Sequence, residues 1–212
     1  MRFTLGAPPD DSDFQPEQEG WTKLRDIGPG TLMLVGSLAG LPLAALFSYS
    51  WSRLSPAALT FTLPINAMSL GRWSILLLPL VVLLIGALFF AAVIFTHELI
   101  HALACPGFGL TSATILGVWP SRVICYASHA GPISFWRGIV LGIAPFLVLS
   151  VFPLALAAAG GPRWTFLALV SVTNAMMCGG DAVITGMFLR QIPFNGIMRN
   201  KGWNTWWRSN SQ

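Results

Sequence analysis

Five consecutive residues, His97-Glu98-Leu99-Ile100-His101, hold two of the three histidines and one of the three glutamates in the chain. On a helix, positions i and i+4 share a face, so both imidazoles can reach one metal ion. Glu98 stands beside that face, where a carboxylate can take a proton from a water on the metal. The chemistry this pattern serves is metal-assisted hydrolysis. A plainer reading makes the pair helix-end histidines reaching the membrane interface, with Glu98 solvated there. Ionisable residues inside an apolar span nevertheless point to function first.

A hydrolytic zinc site needs a third protein ligand and one open position for water. Beyond residue 26 the chain has only two acidic residues, Glu98 and Asp181, which makes Asp181 the candidate. An unpaired carboxylate in hydrocarbon costs several kcal/mol, and a cation removes that cost. An ion pair with Arg190, the nearest basic residue in sequence, is the alternative. Asn174, Cys178, Asp181 and Thr185 are spaced four, three and four apart, so they share one helix face. Asn174 is a candidate for hydrogen-bonding a substrate backbone or an oxyanion, or else for a contact between helices. Cys178 reads as packing. Gly179-Gly180 either loosens the helix or admits a close neighbour. His129, beside Gly131-Pro132, is a candidate for holding substrate or stabilising a transition state, against a plain loop histidine. Pro145 reads as a kink in its helix.

The elements that must position these groups follow from composition. Of 212 residues 54% are hydrophobic and only 9% charged, with a mean hydropathy of +0.67. A soluble domain carries about 25% charged residues, so a polytopic membrane domain is expected, and collagen-like or disordered chains are excluded. Three cysteines in apolar surroundings imply no disulfide framework. The net charge of +4 comes from basic residues scattered singly between apolar segments, which suits topology signals and not nucleic acid. Spans need about 20 apolar residues, and four segments qualify: 31–50, 74–104, 134–159 and 164–189. The expected fold is therefore an all-α bundle of about four transmembrane helices. Residues 1–30 read as a cytosolic polar tail, 31–190 as the membrane domain and 191–212 as a tail rich in Trp at the interface.

Trp51, Trp73, Trp136 and Trp164 fall at span ends, where aromatic belts sit. Nine Lys and Arg residues lie on the side of the termini and three on the other, which predicts both termini in the cytoplasm. Thr111–Val118 and Arg122–Ala127 are β-prone runs around Trp119-Pro120-Ser121, a membrane-associated hairpin between the second and third spans. Residues 54–70 fit a hairpin, a re-entrant piece or a short helix. At 1.5 Å per residue, His97 and His101 lie roughly 5–10 Å before the cytoplasmic end of their span and Asp181 roughly 12 Å before the end of its own. The three groups share one depth.

With His97-Glu98-Leu99-Ile100-His101 and Asn174…Gly179-Gly180-Asp181, and an apolar span carrying Pro145 between them, the chain resembles the zincin peptidases of bacterial membranes. That group is related in layout to site-2 proteases, and the likeness covers about residues 31–190. It implies His97, His101 and Asp181 as ligands of zinc and Glu98 as the catalytic base. It also implies an inner-membrane location, a membrane-protein or peptide substrate, and a hairpin that holds this substrate extended. Around the aspartate the site-2 pattern is Asn-Pro-x-Asp-Gly; here Gly-Gly precedes Asp181 and Ala182 follows it. The other readings are a metal-stabilised scaffold or adaptor without activity, and a metal- or haem-handling protein.

Overall fold

The computed structural model describes residues 1–60 and 74–209. Helix α1 (Pro29–Leu54) leads through a short 3-10 turn at Pro56–Leu59 towards α2 (Ser74–Ala104). Residues 61–70 of the connection read from the sequence lie outside the described residues. After α2 come β3 (Thr114–Trp119), β4 (Ile124–His129) and β5 (Ile133–Ser134). The third pass combines α3 (Phe135–Pro145), a π-helical stretch at Phe146–Val151 and α4 (Phe152–Ala158). The last pass is α5 (Thr165–Met177) and α6 (Gly179–Gln191). Strands β1 (Arg2–Leu5) and β2 (Thr22–Lys23) precede the bundle, and β6 (Gly196–Lys201) and β7 (Asn204–Ser209) follow it.

Three of these helices are long and apolar enough to cross a membrane: Pro29–Leu54, Leu77–Ala104 and Phe135–Ala158. The pair α5 and α6 passes the same test together but bends by 43° at Cys178. The surface agrees with a membrane setting. Leu80, Leu83, Leu84 and Leu88 on α2 are 59–70% exposed, a continuous apolar face that water would penalise heavily.

Chain connectivity places both sheets at one end of the bundle, where α1 and α3 begin and α2 and α6 end. One sheet has the order β1-β3-β4, with β1 parallel to β3 and β4 antiparallel to it. The other has the order β2-β7-β6-β5. Strands β3 and β4 pair antiparallel between α2 and α3, with Thr114 opposite His129 and Trp119 opposite Ile124, their ends one to three residues from the runs Thr111–Val118 and Arg122–Ala127. An all-α description is corrected here, because the two terminal regions form strands as well. Strand β1 joins the hairpin, while β2, β6 and β7 build the second sheet with β5. Polar composition in the first 26 residues concealed Phe14 and Trp21, which are buried and meet edge to face at 5.2 Å.

Trp51 also departs from expectation. It lies fully buried at the far end of α1, packed with Ala58, Ala157 and Ala168. Trp136 and Trp164 remain exposed at 61% and 66%. Helix α1 approaches the last pass closely through Gly36 and Gly40. A side chain at Gly40 would strike the Met176 carbonyl, and one at Gly179 would strike that of Gly36. This small-residue contact clamps the α5–α6 break, which carries Asp181, against α1.

Candidate metal centre

Helix α2 delivers His97 and His101 one turn apart on one face, and the first turn of α6 delivers Asp181 beside them. His97 Nε2 lies 3.2 Å from Asp181 Oδ2 and His101 Nε2 lies 3.3 Å from Asp181 Oδ1. The two Nε2 atoms are 3.1 Å apart. His97 is 4% exposed. The carboxylate partners of Asp181 are thus the two histidines, and the Asp–Arg pair considered from the sequence is not made.

The other ring nitrogens decide what faces inward. Asn174, fully buried on α5, sets its amide oxygen 2.8 Å from His97 Nδ1. Its amide nitrogen donates to the Pro145 carbonyl (3.0 Å), Ser150 Oγ (2.8 Å) and Cys178 Sγ (3.4 Å). Those three acceptors fix the amide orientation, so Nδ1 of His97 must carry the hydrogen. His101 Nδ1 donates to the Leu141 carbonyl at 2.7 Å. Each imidazole, in its neutral form, therefore turns a bare Nε2 lone pair towards the other and towards an acceptor-only carboxylate.

Three electron-pair donors converge with no hydrogen between them, and Asp181 Oδ2 is buried without a hydrogen-bond partner. Such a cluster is repulsive unless a proton or a cation occupies it. Ligands about 2.0–2.1 Å from a tetrahedral zinc ion stand about 3.3 Å apart, which matches the spacing observed. The donor set of two imidazoles and one carboxylate suits zinc and leaves a position for water.

Two of the positioning features were not recognised from sequence. Residue 145 is proline, so it has no N–H to offer the Leu141 carbonyl four residues earlier. That carbonyl is free to orient His101. The sequence signal is a proline within an apolar span, which by itself predicts only a kink. Ser150, in the π-helical stretch, and Ser171 on α5 exchange hydroxyl-to-carbonyl hydrogen bonds, both 2.9 Å. Ser150 then anchors the Asn174 amide. A π-helical turn beside a site is a recurring device for re-aiming side chains.

Glu98 is half-buried beside the cluster. Strand β4 packs directly on α2. Of the two candidate substrate contacts, Asn174 has both ends of its amide engaged inside the bundle. His129 is buried in the hairpin, its Nδ1 3.3 Å from Thr114 Oγ1. Its partner is Thr114 and not the His97–His101–Asp181 cluster. Burial, reinforced by the Arg137 guanidinium, lowers the His129 pKa from its ordinary value.

Residues 90–195, half of the chain, match the model of a family described as putative zincin peptidase. The chain belongs to that family. Its matched region takes in the whole cluster, from α2 through the hairpin to the end of α6. Among curated proteins and among solved structures, nothing matches the chain. Membership supports metallopeptidase activity, with the metal that zincins typically use.

Proposed function

We propose that this zincin-family protein is a membrane-embedded zinc metalloendopeptidase that cleaves membrane or membrane-proximal protein substrates. The observation that carries this reading is the convergence of His97 Nε2, His101 Nε2 and the Asp181 carboxylate at 3.1–3.3 Å. Both imidazoles are fixed by partners on their opposite nitrogens. His97, His101 and Asp181 would hold the ion. Zinc held there supplies Lewis acidity, polarising a scissile carbonyl and bringing the pKa of a bound water towards about 7.

The chain's own groups do the rest. Glu98 accepts the proton of the attacking water at its carboxylate and passes it to the leaving amine. Asn174 and the Leu141 carbonyl hold the two rings in their ligating tautomers. Strand β4 ends the sheet β1-β3-β4 and packs on α2, the helix that carries Glu98. An extended substrate segment can add along that strand by backbone hydrogen bonding. This also unwinds the segment, which peptide hydrolysis requires because a helix hides its carbonyls. In the bilayer, the sheet-capped end faces the cytoplasm with both termini, at the bacterial inner membrane. A site near that end shortens the route for water.

The test uses full-length protein in detergent, with bound zinc and substrate cleavage measured side by side. Glu98→Gln is expected to retain zinc and lose cleavage by about 10²–10⁴-fold, whereas His97→Ala loses both. Unchanged cleavage by Glu98→Gln would refute Glu98 as the general base, and zinc binding without any cleavage by wild type would favour a metal-stabilised scaffold.

A further inference from the structure

We propose that Cys178 supplies a fourth protein ligand to the metal, so that a thiolate, not water, fills the last tetrahedral position until it is displaced. The proposal rests on the metal-centre reading above and adds its regulation. Cys178 sits at the break between α5 and α6, three residues before Asp181, and is 2% exposed. The ligand atoms of His97, Cys178 and Asp181 all lie within 4.8 Å of one another. A tetrahedral centre with zinc–sulfur and zinc–nitrogen bonds of about 2.3 and 2.0–2.1 Å places S and N about 3.6 Å apart. In the proposed closed state the Cys178 side chain turns to bring its sulfur to that distance.

Two further observations point the same way. The sulfur accepts an N–H from the Asn174 amide at 3.4 Å, the kind of outer contact that offsets charge on a metal-bound thiolate. Asn174 thereby touches both His97 and Cys178, orienting two ligands from one side chain. His97 itself is almost completely buried and aims an unpartnered lone pair into the same space. A cysteine that only packed would need neither arrangement.

Closure is a ligand exchange without electron transfer. The S–H bond breaks, its proton leaves with the displaced water, and a sulfur lone pair forms the bond to the metal. Opening is the reverse, with water returning and the thiol reprotonated. In this state the centre has four protein ligands, as structural zinc sites do, and hydrolysis waits on release of the thiolate.

The test loads full-length protein in detergent micelles with Co²⁺ and records its absorption spectrum. Wild type is expected to show tetrahedral d–d bands together with a near-ultraviolet band from thiolate-to-cobalt charge transfer. Cys178→Ser is expected to keep the d–d bands and lose the charge-transfer band. A Cys105→Ser/Cys125→Ser double variant is expected to keep both, and it decides the question even if Cys178→Ser does not fold. Tetrahedral cobalt without the charge-transfer band in wild type would overturn the role of Cys178 and leave the three-ligand centre standing. A charge-transfer band that survives Cys178→Ser would overturn it as well. Absence of cobalt binding by wild type would overturn both this proposal and the metal centre.

Discussion

At the scale of single residues, the proposed centre depends on groups that would not themselves touch the metal. Asn174 does for His97 what the Leu141 carbonyl does for His101: each holds Nδ1–H and so turns Nε2 inward. Outer contacts of this kind typically carry 10–100-fold in metal affinity. Asn174→Ala is therefore expected to weaken zinc binding by about that factor, measured by competition with a chromophoric chelator. Affinity within a factor of two of wild type would show that the ring is held by other means. The spacing of His97 and His101 was legible in the sequence because helical periodicity is local. The role of Asn174 was not, since three of its four partners, His97, Pro145 and Ser150, come from α2 and the third pass, and no short-range pattern encodes those.

Elements supply the next level of control. The third pass stays continuous yet loses one backbone donor at Pro145 and changes pitch over Phe146–Val151. Restoring an amide there would let the helix reclaim the Leu141 carbonyl from His101. Pro145→Ala is expected to weaken metal binding while leaving thermal stability of the metal-free protein equal or higher, since proline costs about 3 kcal/mol in a helix interior. Equal loss of both would indicate simple misfolding.

The hairpin carries its own pH dependence. His129 is kept below its ordinary pKa by burial and by Arg137, so the fold favours the neutral ring and unfolding favours the protonated one. Its contribution is present above the ordinary histidine range and is lost as pH falls through that range. Protection factors of the β3 and β4 amides, corrected for intrinsic exchange, are expected to fall on acidification over that interval, and His129→Gln is expected to flatten the response. A profile unchanged by the substitution would assign the acid sensitivity elsewhere.

Over the whole molecule, the sequence disclosed the apolar passes and concealed the cap. Long hydrophobic runs declare themselves by length and composition, whereas β1 pairs with β3 across more than a hundred residues through four positions only. Strand β2 pairs with β7 through two, Thr22 with Trp207 and Lys23 with Trp206. No local propensity announces such pairings. The polar termini are bound to the cap by specific contacts as well. Arg199 reaches Asp11 at 2.6 Å and lies over the Phe14 ring, while Arg208 lies over Trp21. Because both terminal regions belong to one sheet, reporters fused to either end are expected to give the same cytoplasmic signal in intact cells. Opposite signals would refute the proposed topology.

That shared sheet also bears on how the protein is made. Strand β2 is synthesised before any of the helices and β7 after all of them, so on the proposed topology β2 waits without its partner while the passes enter the bilayer. If one pass failed to insert, the two strands would emerge on opposite faces of the membrane and could not meet. Closure of the sheet therefore records that insertion was completed with the correct parity. A misinserted chain would keep Phe14, Trp21 and the strand edges uncovered, open to the proteases that remove failed membrane proteins.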